Sequence, residues 1–254
     1  MNTPKSKYLV YTSAGDNSNL LYWLKNFNSR QVKRNFDLWI TYYGSVKNKY
    51  KEVSEFYNMR QGAKFPNLLH VYQEWNDILA HYEAVFVMDD DIVIDCNRIN
   101  HLFEIRKKYD LWLLQPAFDK IGKISHSITK MNPSCFLRYT NFVENTCPLF
   151  RKDKLDGFME IFDPVLTGWG IDLWYHYFLG DHPRKIAVID AVPCINPHDK
   201  WKGGKREIEQ LEKTNVSIGK WFDIKKKHNI RFDGEGGKFQ IKQFGHVPKK
   251  VHKK

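Results

Sequence analysis

The stretch Ala84-Val85-Phe86-Val87-Met88-Asp89-Asp90-Asp91-Ile92-Val93-Ile94 decides the reading of this 254-residue chain. Its continuous apolar run is the pattern of a strand buried on both faces. The run stops abruptly at three carboxylates. Neighbouring carboxylates repel one another, a cost that a bound cation relieves. Hard divalent ions such as Mg2+ or Mn2+ prefer oxygen ligands, commonly shared between one or two carboxylates and substrate phosphates. The triplet therefore reads as a phosphate-facing metal site at a strand end. The plainer alternative is a solvated acidic turn.

Working outward, Tyr8-Leu9-Val10-Tyr11 reads as a second buried strand. It runs into Thr12-Ser13-Ala14-Gly15-Asp16, small residues suited to a tight turn beside a ligand. Leu20, Leu21, Trp23, Leu24 and Phe27 recur at helical spacing. Phe36 to Tyr43 predicts a strand, residues 47–60 carry weak helical spacing, and Gln61 to Pro66 reads as a loop. Helices are expected over Leu68 to Tyr82 and over 97–108, with a strand at Leu111 to Leu114. This alternation predicts an α/β fold built on an open, mostly parallel sheet with helices on both faces. Ligands of such sheets bind at the carboxyl ends of the strands, so the Thr12–Asp16 turn and the triplet should line one crevice.

The second half is more mixed. Phe142 to Phe150 looks extended, Leu155 to Phe162 helical, and Lys185 to Ile189 a strand. A helix is expected over 205–213, and the rest looks irregular. Thr167-Gly168-Trp169-Gly170 is a turn into a helix at Ile171 to Leu179. Glycines there let a backbone approach a ligand, and Trp169 offers a flat face to a sugar. Asp172 is either a general base for an acceptor hydroxyl or a helix-start residue favoured by the dipole. In Asn196-Pro197-His198-Asp199, His198 is either a further metal ligand or a surface histidine. His126, in Ser125-His126-Ser127-Ile128-Thr129, and Glu144, in Arg138 to Glu144, belong to polar-aromatic stretches of the kind that line pockets. Lys64 is placed to meet a diphosphate unless it is simply solvated.

Composition narrows the class. One large α/β domain or two small ones fit the length. The formal charge is +11, from 40 Lys and Arg against 29 Asp and Glu, and much of the excess falls in residues 200–254. That balance suits phosphate-bearing substrates or an anionic membrane surface. The four cysteines are scattered without a C-x-x-C pair, which argues for free thiols rather than zinc. The first residues lack a signal-peptide h-region, and no run nears the ~18 apolar residues of a membrane span. The expected location is cytoplasmic, with peripheral membrane contact open to the basic C-terminal segment. P-loop, dinucleotide, zinc-protease and serine-hydrolase signatures are absent, as are helix-turn-helix, zinc and RNP signatures for specific nucleic-acid binding.

The strand end Val87-Met88-Asp89-Asp90-Asp91 resembles the D-x-D strand end of GT-A-fold glycosyltransferases. More specifically, the chain is similar to a family described as domain of unknown function 707. The stretches that carry this likeness are Thr12–Asp16, Lys64–Asn67, the triplet, Gln115–Asp119, Ser125–Thr129, Arg138–Glu144, Gly168–Asp172 and Ala187–Val192. They span roughly 8–198 and leave out the basic region after 200. The resemblance implies a GT-A-like, Rossmann-type open mixed sheet flanked by helices, with a basic C-terminal extension. It implies a divalent metal (Mn2+ or Mg2+), a nucleotide-sugar donor, expected to be UDP-linked, and a glycan or glycoconjugate acceptor. By the same likeness Asp89 and Asp91 are the D-x-D pair, with His198 a late metal ligand, although Asn196-Pro197 sets it further from the strand than expected. Thr12, Ser13, Ala14, Gly15, Asp16, Asp37, Lys64, Asp90, His126, Gly168 and Trp169 are expected to meet the donor. Asp172 is expected as the base of an inverting transfer, with Glu144 as a second carboxylate. The expected organisation is a catalytic domain over 1–199 and a basic extension over 200–254, which is free to pack on it. A nucleotidyltransferase or metal-dependent phosphohydrolase, a non-catalytic sugar or nucleotide binder, and a nucleic-acid binder are the alternatives.

Overall fold

The computed structural model describes residues 3–27, 33–199 and 214–250. Among these residues nine strands form one sheet: β1 Tyr8–Ala14, β2 Asp37–Tyr42, β3 Phe56–Met59, β4 Ala84–Val87, β5 Leu113–Phe118, β6 Cys135–Thr140, β7 Leu149–Arg151, β8 Ile186–Cys194 and β9 Gln243–Pro248. Their spatial order is β3-β2-β1-β4-β7-β5-β8-β6-β9. The first four are mutually parallel. Strand β7 then enters antiparallel between β4 and β5, β8 lies parallel to β5, and β6 and β9 close the far edge antiparallel. The sheet is thus mixed and open, with parallel pairing confined to the half that follows β-α-β order and to the β5–β8 pair.

The apolar run of β4 sits at the centre, and its side chains alternate between the two faces. Ala84, Phe86 and Met88 enter the core on one face, where helix α3 Cys96–Lys108 packs. Val85 and Val87 enter the other. That second face carries α1 Lys64–Glu74, the one-turn α2 Asn76–Leu79, α4 Lys152–Ile161, α5 Ile171–Leu179 and α6 Thr214–Lys227. With both faces covered, every position of β4 is buried, which is why the sequence reads as a continuous rather than alternating apolar run.

Several expected elements shift. Helix α1 begins at Lys64, not Leu68, because Pro66 falls in the first turn, where a missing N–H costs nothing. The segment expected as a helix near Leu20 is a single 3-10 stretch, Leu20–Leu24. The weakly helical 47–60 segment instead ends in the edge strand β3. Strand β5 runs on through Pro116 to Phe118, with a register shift between Pro116 and Ala117. The expected helix over 205–213 lies outside the described residues. Beyond it the chain is not irregular: α6 buries Trp221 and Ile224 in the second core, Ile230 follows, and β9 pairs with β6. Among the described residues no helix is long and apolar enough to cross a membrane, and all four cysteines are free and buried.

Candidate functional site

The carboxyl ends of β1 and β4 are sewn together by the triplet itself. Asp90 accepts the Gly15 backbone N–H on its carboxylate at 3.0 Å. Its carbonyl accepts the Ser18 hydroxyl at 2.9 Å and the Asn19 N–H at 2.7 Å. The Asn19 side chain donates to the Asp91 carbonyl at 2.6 Å, and the Trp23 indole donates to Ile92 O at 2.8 Å. The turn after β1 and the triplet are thus neighbours at the carboxyl ends of their strands. Thr12 and Ala14, expected to meet the donor, are fully buried residues of β1, Ala14 within the first core, so their side chains face no ligand; Ser13 accepts a hydrogen bond from the buried Asn67 amide at 3.0 Å. That bond fixes the start of α1 against β1. Asn67 was not singled out in the sequence, although it stands in the Lys64–Asn67 stretch.

Two expected donor contacts are placed differently. The Asp16 carboxylate accepts from the Tyr42 hydroxyl and from the backbone N–H and hydroxyl of Ser45, at 2.9 and 2.7 Å, and from Val46 N–H at 3.1 Å. These donors hold its carboxyl well below the usual range, with the Tyr42 hydroxyl as the largest cause. Asp16 therefore organises the loop after β2. Asp37 lies at the amino end of β2, away from the strands' carboxyl ends, where it accepts Lys5 and Ser6 N–H groups at 2.8 and 3.2 Å and the Tyr82 hydroxyl at 2.9 Å. It is buried and its carboxylate is occupied, so it ties the amino-terminal segment to the sheet rather than facing a nucleotide.

At the tip of β4, Asp89 pairs with the Lys64 ammonium at 2.6 Å. Lys64, the first residue of α1, also donates to the carbonyls of Asn145 and Thr146. The triplet's oxygens suit a hard cation shared with a diphosphate. Among the described residues no group of three or more His, Cys, Asp or Glu side chains converges into a cage that would hold a metal unaided. The segment bearing His198 runs antiparallel beside the triplet, because Val93 and Ile195 exchange backbone hydrogen bonds of 2.9 and 3.0 Å.

The second cluster grows from the segment between β6 and β7. Glu144 is 4% exposed, and burial pushes its carboxyl up to about 7. Its Oε1 lies 3.0 Å from the Thr129 hydroxyl, which also meets the His126 carbonyl at 2.8 Å. A hydroxyl has one proton to give. The Thr129 proton is shared between these two acceptors, and its bond to Glu144 pulls the carboxyl down against the larger effect of burial. The Glu144 backbone N–H donates to the buried Gln115 side chain at 2.7 Å.

Asp172 stands in the first turn of α5, where its Oδ1 accepts the Leu173 N–H at 2.9 Å. Burial raises it to about 6 against the pull of the Leu173 and Asn145 N–H groups. The charge of Asp172 is one of the causes that raise Glu144, so the two carboxylates share one locality. Asn145 joins them to the glycine turn by donating to Gly168 O at 2.9 Å. Trp169 is 45% exposed, its N–H is held by Ser217 at 3.1 Å, and its ring meets Trp221 edge-on at 6.5 Å. His126 packs on Phe142 at 4.6 Å. Gln115, Asn145 and Trp221 carry the site without having been assigned roles in the sequence. Gln115 lay in a quoted stretch, and nothing in the local pattern distinguishes the other two.

The open mixed sheet flanked by helices is a GT-A-like fold. Among solved structures, residues 1–349 of S. aureus TarS in complex with UDP-GlcNAc match with a TM-score of 0.56 at 15% identity, over 86% of this chain and 64% of that one. A longer S. aureus TarS structure matches with a TM-score of 0.52 at 12% identity, over 86% of this chain and 43% of that one. The chain therefore spans less than two thirds of either, and at these identities the likeness establishes the fold. No curated protein matches the chain significantly. The family model described as "Protein of unknown function (DUF707)" matches residues 73–233, and the chain belongs to that family. The match reaches through α6, past the limit near 198 expected from the sequence, and begins at residue 73, so it leaves out the Thr12–Asp16 and Lys64–Asn67 stretches expected to carry the likeness.

Proposed function

We propose that this chain is a nucleotide-sugar-dependent glycosyltransferase that moves a sugar to a hydroxyl of a glycan or glycoconjugate acceptor. One observation carries the reading. On a GT-A-like sheet, an aspartate cluster at the tip of β4 and a raised-pKa carboxylate cluster at the start of α5 face a common segment, residues 144–146, and Lys64 and Asn145 bridge them. The first cluster suits a diphosphate donor and the second an acceptor hydroxyl. The similarly folded TarS is described in complex with UDP-GlcNAc, which supports a UDP-linked donor here.

Asp89 and Asp91 would hold a divalent cation, Mn2+ or Mg2+, with the donor's phosphates supplying further oxygen ligands; His198, expected as a third ligand, does not converge with them into a group of three. When bound, the cation would neutralise charge on the departing diphosphate. The chain's own residues do the rest. The Ser13–Gly15 turn and Asp90 shape the wall of the donor crevice. Gly168 and Trp169 present an open backbone and a flat ring to the sugars. Asp172, ionised above pH of about 6, accepts the acceptor's hydroxyl proton. The acceptor oxygen forms its bond to the anomeric carbon as the bond to the diphosphate oxygen breaks on the opposite face, so the configuration inverts. Glu144, retaining its proton to about pH 7, donates a hydrogen bond and orients the sugar. The basic C-terminal segment offers peripheral contact to an anionic membrane.

The test is release of nucleoside diphosphate from a panel of UDP- and GDP-sugars, with and without simple sugar acceptors. Acceptor-stimulated release that Asp172→Asn abolishes is the expected result. Release of nucleoside monophosphate instead would point to phosphohydrolase or nucleotidyl chemistry and sink the transferase reading.

A further inference from the structure

Lys64 occupies a place that donor chemistry alone does not explain. Its ammonium has three protons to give, and the structure gives it three acceptors: Asp89 Oδ1 at 2.6 Å, Thr146 O at 3.1 Å and Asn145 O. The Lys64 side chain is 10% exposed, whereas that of Asp89 is 42% exposed. A nearly buried cation is thus fastened to two neutral carbonyls, with the more exposed Asp89 as its charged partner among the described residues. The triplet's charge is in this way partly neutralised by the chain itself.

We infer that Lys64 is a built-in counter-ion of the donor site: in the free protein it occupies Asp89, so a divalent cation binds weakly alone and enters together with a nucleoside diphosphate. The inference rests on the proposal that Asp89 is a donor-side ligand. Its physical basis is charge balance. A divalent ion placed on Asp89 lies within a few ångströms of the ammonium, in a partly desolvated pocket where like charges repel more strongly than in water. Lys64 cannot swing away freely, because its two carbonyl partners would then lose their donor. The phosphates of an incoming nucleotide supply the negative charge that makes two cations compatible. The device is a binding order: nucleotide and metal together, rather than metal first.

The experiment follows Mn2+ binding by the electron paramagnetic resonance of the free ion, with the full chain, in the absence and presence of UDP or GDP. Wild type is compared with Lys64→Met and with Lys64→Gln. The glutamine variant keeps an amide donor for the Thr146 carbonyl and stands in should the methionine variant fail to fold, as judged by circular dichroism. Without nucleotide, the neutral variants are expected to bind Mn2+ about tenfold or more tightly than wild type. With nucleotide, wild-type affinity rises sharply and the difference narrows. The gain in the variants should vanish when Asp89→Asn is added. A folded neutral variant that binds Mn2+ no more tightly than wild type, when wild type does bind it with nucleotide, overturns the inference and leaves the donor-site reading standing. Absence of Mn2+ binding by wild type with every nucleotide overturns the metal reading of Asp89, and the inference with it.

Discussion

Replacing Gly170 by alanine should destabilise this protein through backbone strain and overpacking at once. Gly170 is the N-terminal cap of α5, two residues before Asp172, and its φ is +94°. Side chains avoid that region, at a cost of about 1–2 kcal/mol. A Cβ built there would lie 2.6 Å from Trp221 Cδ2 and 2.7 Å from Cγ. Trp221 is 2% exposed and anchors α6 to the second core, so it has little room to retreat. Overpacking of that kind costs about 1–3 kcal/mol, and the two costs together come to about 2–5 kcal/mol. For a chain of this length that corresponds to a fall in Tm of about 10 °C. Gly236 is the internal control: its φ is +65° and nothing lies within 4 Å of its Cβ position, so Gly236→Ala should show the backbone cost alone. Urea unfolding of both variants gives the difference directly. The added penalty at Gly170 should shrink in a Trp221→Leu background, which removes the indole. Equal destabilisation of Gly170→Ala and Gly236→Ala would refute the packing argument and the role given to α6 as a buttress of the glycine turn.

Other outcomes are open to measurement. Glu144 holds its proton in the folded chain to about pH 7, against an ordinary value of 4.5. The unfolded chain therefore binds fewer protons between those limits, and stability falls as pH rises through them. Glu144→Gln should remove that slope, gaining up to about 3 kcal/mol at pH 8 relative to pH 4 in urea unfolding; a parallel pH dependence in both proteins would contradict it. Asp190, buried on β8, takes two hydrogen bonds of 2.9 Å from Arg138 on β6 and one of 2.7 Å from Asn132 N–H. Asp190→Ala strands the guanidinium and should cost about 3–5 kcal/mol, with Arg138→Met/Asp190→Leu recovering part of it. Sugar transfer by the wild type should rise through a pH of about 6, the value of Asp172. Asp172→Asn should slow it about 100-fold or more while leaving donor affinity nearly unchanged; transfer at wild-type rate would remove Asp172 from the base role.

The buried centre of the fold was legible because it obeys local rules. The apolar run of β4, the β1 turn and the triplet announce themselves by pattern, and the structure joins them through Gly15 and Asp90. The far half of the sheet was not legible, for physical reasons. Strand β5 continues through Pro116, which reads as a terminator, and β6 and β9 pair across more than a hundred residues of sequence. Nothing local at Gln243–Pro248 marks it as an edge strand, since its side chains are mostly exposed or half-buried. The site shows the same divide. Asp172 and Glu144 could be nominated from neighbouring glycines and aromatics, but their shared locality and raised values arise from burial that only the folded chain supplies. Asp37 and Asp16 drew attention by position, and tertiary contacts give both of them structural work.

The central claim is that the crevice between the ends of β1 and β4 holds a nucleoside diphosphate. Calorimetric titration of the full chain with UDP, GDP, CDP and ADP, with and without Mn2+, tests it most directly, beside an Asp89→Ala/Asp91→Ala variant. The account predicts Mn2+-dependent binding of one of these nucleotides, UDP first among them, and its loss in the folded double variant. Binding of none by a folded wild-type protein with Mn2+ present, or equal binding by the double variant, would contradict it.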